Sequence, residues 1–290
     1  MAEIRGVLTA MVTPFHEDGG VDEAGTRRLA RHLVEHGSHG LVIAGTTGEA
    51  PTLSDDEKLA VFRAVRDEIG DEATLILGTG SNNTLHTVEL TKLAAEAGAD
   101  AAIVVTPYYN KPNELGLMAH YEAVAQVGLP IVLYNIPSRV VINIKPDLLA
   151  EIGKLPNVVA VKQANNDELG PVENLDVLAG NDDIFFRTLE FGGAGGVLVA
   201  SHIVGPRMRE IWDAAQDGDI ERAGEIDAEL APVYEALTVT ANPIPIKAAL
   251  KMLGLIESDA LRLPLISATE EQRQAIRPAL EAAGILAAAG

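Results

Sequence analysis

The chain has 290 residues, 47% of them hydrophobic, and carries 22 Lys plus Arg against 42 Asp plus Glu, a formal net charge of −20. That length suits a single α/β barrel, the apolar content excludes a disordered chain, and the charge repels nucleic acid and anionic lipid. The lack of cysteine excludes disulfides, thiolate metal sites, iron–sulfur clusters and cysteine nucleophiles, and it fits a reducing compartment.

"GVLTAMVTP" near the N-terminus reads as a first strand and not as a signal peptide, because an acid precedes it and it runs straight into "FHEDGG". No apolar run reaches bilayer-spanning length, so the expectation is a soluble cytoplasmic protein in which the sequon at 82–84 stays idle. Seven more β-type runs follow: "GLVIAGTTGE", "TLILGTG", "AAIVVTP", "PIVLYNIP", "VVAVKQ", "LDVLAGND" and "GGVLVAS". Most are separated by amphipathic helical patterns such as "EAGTRRLARHLVEHG", where Leu29, Leu33 and Val34 share a face. Ser54 and Glu57 form a capping box that starts the helix after the second strand. Continuous apolar strands alternating with such helices imply a parallel sheet covered by helices, and eight units imply a closed (β/α)₈ TIM barrel.

Between "VVAVKQ" and "LDVLAG" only "ANNDELGPVEN" remains, so the sixth helix is expected to be a turn or stub. Beyond Pro206 the pattern is helical over 207–217, 219–237, 244–254 and 269–285, the last opened by Thr269 and Gln272. The expected organisation is a barrel over 1–205 and a C-terminal helical extension over 206–290 packed on it.

Reacting groups in such barrels sit at the C-terminal strand ends. Collected there are Thr46, Thr47, Tyr108, Tyr109, Tyr134, Arg139, Lys162 and Gly180. No carboxylate pair is among them, which leaves acid–base work to tyrosine and lysine. Burial favours the neutral form of a lysine amine, and a neutral amine attacks a carbonyl carbon to give a Schiff base. The plainer reading is a lysine whose stem packs in the wall while its ammonium pairs with an acid. Gln163, Ala164, Asn165 and Asn166 offer no adjacent carboxylate, however, and two tyrosines end neighbouring strands. "GTTGEAPTLS" offers hydroxyls and backbone N–H groups to a carboxylate, although an ordinary strand-to-helix turn has the same composition. Arg139 is a bidentate carboxylate donor at the rim.

"HLVEH", His32 to His36, matches an inverted zincin pattern, but on the first outer helix a solvated face explains it. "FGGAGG" before the last strand suggests a phosphate loop or, more simply, tight helix-to-strand packing. With neither a P-loop nor a dinucleotide fingerprint present, no nucleotide cofactor is inferred.

These motifs together resemble the class I pyruvate-dependent aldolases, the dihydrodipicolinate synthase and N-acetylneuraminate lyase family, and most closely its synthase branch. The likeness runs nearly end to end: "TPF" at 13, "GTTGE" at 45, "GTGSNNT" at 78, "VTPYYNKP" at 105, "YNIPSR" at 134, "VKQA" at 161, "NPIPIK" at 242 and "LRLP" at 261. It implies a Schiff base between Lys162 and pyruvate, with no cofactor and no metal. Tyr134 would relay protons through Thr46 to Tyr109 of a neighbouring subunit, and Thr46 and Thr47 would grip the pyruvate carboxylate. Carbonyls near Gly180 and Leu198 would face the site, and Arg139 would bind the carboxylate of L-aspartate 4-semialdehyde. The implied product is 4-hydroxy-tetrahydrodipicolinate, on the route to diaminopimelate and lysine, made by a lyase that is a homotetramer of tight dimers. The alternatives are a related lyase or dehydratase acting on a sugar acid or other 2-keto acid, or a barrel that only senses a keto acid.

The chain departs from the family pattern at Gln163, where an acid is common, and at Val140 and Val141, where Thr-Gly commonly follows the arginine. The stretch after Lys162 is also short. Members inhibited by lysine use an acid where this chain has His86, and usually histidine where it has Asp55 and Lys58. The expectation is therefore insensitivity to lysine.

Overall fold

The computed structural model describes residues 4–287, so the outermost residues of both expected divisions, 1–3 and 288–290, lie outside it. Eight parallel strands close a barrel in chain order among these residues. They are β1 (Gly6–Ala10), β2 (Gly40–Ile43), β3 (Thr74–Gly78), β4 (Ala101–Val105), β5 (Ile131–Asn135), β6 (Val158–Gln163), β7 (Asp176–Ala179) and β8 (Gly195–Leu198). Each is a core of one expected apolar run, and the polar tail of that run forms the loop beyond.

The helices are α1 (Glu23–Glu35), α2 (Asp55–Ile69), α3 (Thr84–Glu96), α4 (Glu114–Ala125), α5 (Pro137–Val140), α6 (Pro146–Ile152), α7 (Phe185–Glu190), α8 (Ser201–Gln216), α9 (Ile220–Ala236), α10 (Ile244–Met252) and α11 (Glu270–Ala282). Both expected capping boxes form, Ser54 with Glu57 on α2 and Thr269 with Gln272 on α11. Reciprocal side-chain to backbone bonds satisfy N–H groups that a helix start otherwise leaves without partners. Between β6 and β7 the chain makes only a 3₁₀ turn at Asn166–Glu168, as the shortness of that stretch implies.

The helix expected over 207–217 begins earlier, at Ser201, and packs on β1 as the eighth barrel helix. Pro206 stands in its second turn, next to non-helical backbone at Val204. Pro206, expected just ahead of the helix, thus lies inside it, and because the helix kinks at Val204 the proline falls in the first turn of the part that resumes, where the missing N–H costs little. The line between 205 and 206 passes through this helix.

Period-two alternation divides the apolar residues into two cores. Leu8, Val42, Ile76, Ala101, Val132, Ala160, Leu178 and Val197 fill the barrel interior. Val7, Leu41, Leu75, Ala102, Leu133 and Val161 face the helical layer. No helix among the described residues is long and apolar enough to cross a membrane.

The glycine cluster before β8 serves packing. A Cβ on Gly193 would lie 2.4 Å from the Thr188 side chain and 2.7 Å from its carbonyl, whereas Gly192 has φ of +85° and open space around it. Neighbouring glycines are thus needed for different reasons, crowding against α7 and left-handed backbone. Gly193→Ala should cost about 3 kcal/mol in urea unfolding and Gly192→Ala about 1 kcal/mol. The reverse order would contradict this division.

Candidate active site

In the β5–β6 ladder Tyr134 pairs with Lys162, and Asn135 pairs with Gln163. Paired residues of parallel strands project to the same face, and the next pair projects to the opposite one. Tyr134 and Lys162 accordingly share the barrel mouth, each only 6% exposed. Outside, the Asn135 amide donates to Gln163 Oε1 at 3.1 Å and to the Ile144 carbonyl at 3.3 Å. Gln163 Oε1 also accepts the Asn165 N–H at 3.0 Å, while Gln163 Nε2 is buried without a partner. At the position where an acid is common in the family pattern, an amide thus keeps the acceptor role and leaves one donor unmet.

Lys162 Nζ lies 4.2 Å from the centroid of the Tyr134 ring. Among the described residues it has no hydrogen-bond or ion-pair partner. The wall-packed lysine with a paired acid is therefore not what folds here. Thr106 fixes β5 beside it, since both its N–H and its hydroxyl donate to the Tyr134 carbonyl, at 3.0 and 2.9 Å.

Thr46, Thr47, Tyr134, Arg139 and Lys162 line one cavity of about 690 Å³. Thr46 and Thr47 follow β2 in a turn closed by Glu49 N–H to the Thr46 carbonyl and Ala50 N–H to the Gly45 carbonyl, each 3.1 Å. Thr47 is buried and its hydroxyl accepts from Asn242 Nδ2 at 3.0 Å. Arg139 is exposed on α5, which Pro137 initiates with its preset φ. Its Nη2 donates to the Asn242 carbonyl at 3.2 Å. Val141 just beyond has φ of +71°. A β-branched residue there carries strain that the glycine of the family pattern avoids.

Three residues expected at the site are not in the cavity lining. Tyr109 is 88% exposed with φ of +72° and does not reach the cavity of its own chain. Gly180 follows β7 and its N–H donates to the Gln163 carbonyl at 2.7 Å. Leu198 is fully buried at the end of β8, its carbonyl accepting from the Ser201 hydroxyl at 3.3 Å.

Sequence reading missed Asp182. It follows β7 in "GNDD", and its carboxylate accepts the N–H groups of Val199 and Ala200 just ahead of α8, at 2.9 and 3.1 Å. Burial pushes its carboxyl up to about 6, against the pull of those N–H groups and of the Lys162 charge. Asn242 and Glu49 were missed too, since their partners lie about 200 positions away in the chain.

Asp55, Lys58 and His86 line the outer part of the same cavity. Burial would raise the Asp55 carboxyl, but hydrogen bonds from His86 at 2.6 Å and Lys58 at 3.0 Å outweigh it and hold the group below its ordinary value. The His32 and His36 rings stack on α1 with centroids 3.9 Å apart, outside this cavity. Among the described residues no group of three His, Cys, Asp or Glu side chains has the geometry to hold a metal ion.

A closed parallel barrel with an unpaired lysine beside a tyrosine at its C-terminal mouth has the site architecture of a lysine-dependent aldolase. The chain belongs to the dihydrodipicolinate synthetase family, whose model matches residues 3–283. It is 43% identical to a 4-hydroxy-tetrahydrodipicolinate synthase of Moorella thermoacetica over 289 residues, covering 97% of this chain and 98% of that protein. The dihydrodipicolinate synthase of Cyanidioschyzon merolae, solved with lysine bound, superposes with a TM-score of 0.93 at 38% identity, covering 99% of this chain and all of that one. The chloride-inhibited enzyme of Acinetobacter baumannii, solved with pyruvate, gives 0.93 at 36% identity, covering 98% and 100%.

A buried amine held only by its contact with the Tyr134 ring gains little stability from it and costs desolvation whenever it is charged. Lys162→Met, which fills the same space without charge, should unfold thermally at or above the parent's midpoint. A midpoint lower by several degrees would show that Lys162 is a structural residue.

Proposed function

We propose that this enzyme condenses pyruvate with L-aspartate 4-semialdehyde to 4-hydroxy-tetrahydrodipicolinate, in the biosynthesis of diaminopimelate and lysine. The observation that carries the reading is the Tyr134 and Lys162 pair in a cavity shared with Thr46, Thr47 and Arg139. The Moorella relative bears the name of this activity, and the Acinetobacter relative is solved with pyruvate. The name favours the condensation over cleavage of a sugar acid, and bound pyruvate fits the keto acid that both reactions share.

Lys162 Nζ adds to C2 of pyruvate, and the carbinolamine loses water to an iminium. That cation is an electron sink, so no cofactor is needed to make the methyl protons acidic. Tyr134, over whose ring the amine sits, moves protons to and from the carbinolamine oxygen and C3. Thr46 links it to Tyr109 of a neighbouring protomer. The hydroxyls and N–H groups at Thr46 and Thr47 hold the keto-acid carboxylate. Loss of a C3 proton gives the enamine, whose C3 bonds to the aldehyde carbon of the semialdehyde while Arg139 holds that substrate's carboxylate. The semialdehyde's amine then attacks C2, expels Lys162 as free amine and closes the ring. One water leaves overall.

An exposed Tyr109 has a use only if it is covered by another copy. Leu85 and Leu115, 66% and 80% exposed on α3 and α4, add apolar surface on the neighbouring helices. The proposed assembly is a homotetramer of tight dimers, in the cytoplasm, with no nucleic acid or membrane partner. A cationic effector finds no free acceptor at Asp55, which already binds Lys58 and His86.

A coupled assay with pyruvate and aspartate semialdehyde tests the reading. Turnover is expected with this pair, none with sialic acid or 2-keto-3-deoxygluconate, and near-constant rates in millimolar lysine. Tyr134→Phe should lower kcat by about 10²- to 10⁴-fold, the usual worth of a positioned acid–base group. Cleavage of a sugar acid at rates above the condensation would overturn it.

A further inference from the structure

The segment 242–262 is tied to the cavity wall at two levels. At the rim, Asn242 donates to the Thr47 hydroxyl and accepts from Arg139, bridging the turn after β2 to the helix after β5. Deeper, Lys247 of α10 donates to Glu49 Oε1 at 2.6 Å and to the Ala260 carbonyl at 2.8 Å. Both members of the ion pair are buried, with side chains 0% and 1% exposed. The other Glu49 oxygen accepts the Arg262 N–H at 3.1 Å. Lys247 Nζ and the Arg262 guanidinium lie 4.2 and 4.7 Å from the centroid of the Phe15 ring.

A buried ion pair is a poor way to gain stability, since apolar residues of the same size would avoid the desolvation of two charges. Burial pulls the Lys247 amine below its ordinary value, and Glu49 opposes the fall. The use of the pair lies in what Glu49 does to the backbone. Glu49 has φ of +57°, left-handed backbone that a non-glycine residue keeps only where its surroundings fix it. Its N–H closes the turn onto the Thr46 carbonyl. The Thr13 hydroxyl, donating to the Gly48 carbonyl at 2.7 Å, holds the same turn from the barrel side.

We propose that Asn242, Lys247 and Glu49 are positioning residues through which the C-terminal helical segment sets the affinity of the Thr46 and Thr47 turn for the keto-acid carboxylate. The inference rests on the reading of pyruvate as the substrate that this turn holds. It makes the segment beyond the barrel a determinant of substrate binding as well as a covering for the core.

The test is calorimetric pyruvate binding to the intact protein, with steady-state kinetics and thermal midpoints on the same samples. Asn242→Ala removes only the half-buried side-chain bond to the Thr47 hydroxyl, since the bond from Arg139 goes to the Asn242 backbone carbonyl and survives, and it should raise the pyruvate Kd and KM about tenfold, the worth of one good hydrogen bond. Its kcat should stay within about twofold, because binding is lost equally from ground and transition states. Lys247→Met leaves Glu49 buried without its partner, so it should lower the thermal midpoint and weaken pyruvate at least as much. The double variant Glu49→Gln with Lys247→Met removes both charges, and should regain midpoint while its pyruvate Kd stays raised. Folded variants with the parent's Kd and KM and altered midpoints alone would reduce these residues to a structural role and overturn the inference. Should Lys247→Met fail to fold, Asn242→Ala decides by the same criterion. A parent that does not bind pyruvate at all would overturn the substrate reading and this inference together, whereas a binding parent with unchanged variants overturns this inference only.

Discussion

The pairing of Tyr134 with Lys162 across β5 and β6 is the contact around which the mouth of the barrel is built. Side chains on parallel strands alternate with a period of two, so a slip of one residue would send Lys162 into the helical layer and Gln163 into the mouth. The register is held on both faces. Inside, the amine lies over the tyrosine ring. Outside, the Asn135 amide bonds to Gln163 and to the Ile144 carbonyl, and Thr106 anchors the far side of β5. A buried amine with no hydrogen-bonded acid is thus a product of the sheet's hydrogen-bond ladder and not of any local sequence preference.

Much of this was legible in the sequence, because barrel strands buried on both faces announce themselves as apolar runs and their polar endings mark the mouth. Both capping boxes and the missing sixth helix could be read from residues close in the chain. The start of α8 could not, because Pro206 looks like the residue just ahead of a helix when it stands beyond a kink inside one. Among candidate site residues, Lys162, Tyr134, Thr46, Thr47 and Arg139 come together around one cavity. Tyr109 and Gly180, read from the strand endings, and Leu198, taken from the resemblance, do not line it, since the first faces away from its own cavity and the other two offer only backbone groups, which carry no signature of residue type. Asp182 was hidden by its neighbours, since in "GNDD" nothing tells a helix-start acceptor from a solvated acid.

The links that no local pattern exposes run between the turn after β2 and the segment around α10. "GTTGE" and "NPIPIK" stand about 200 residues apart, and each looks complete in itself. Together they form one polar frame: Asn242 to Thr47 and Arg139, Lys247 to Glu49, and Arg262 to Glu49 and Glu57. The Arg262 guanidinium holds the Glu57 carboxyl down at about 2, so the capping residue of α2 stays charged through the physiological range and the frame extends to that helix. A helical extension that reaches the mouth in this way explains how a barrel with short loops after β2 and β5 keeps its substrate-facing groups fixed.

The central claim is chemical: the Lys162 nitrogen captures a keto acid as an imine. Borohydride reduction in the presence of pyruvate, followed by proteolysis and mass mapping, addresses it without reference to rate or to the second substrate. The account predicts one reduced pyruvyl adduct per chain, on the peptide containing Lys162. No adduct, or an adduct on any other lysine, would contradict it.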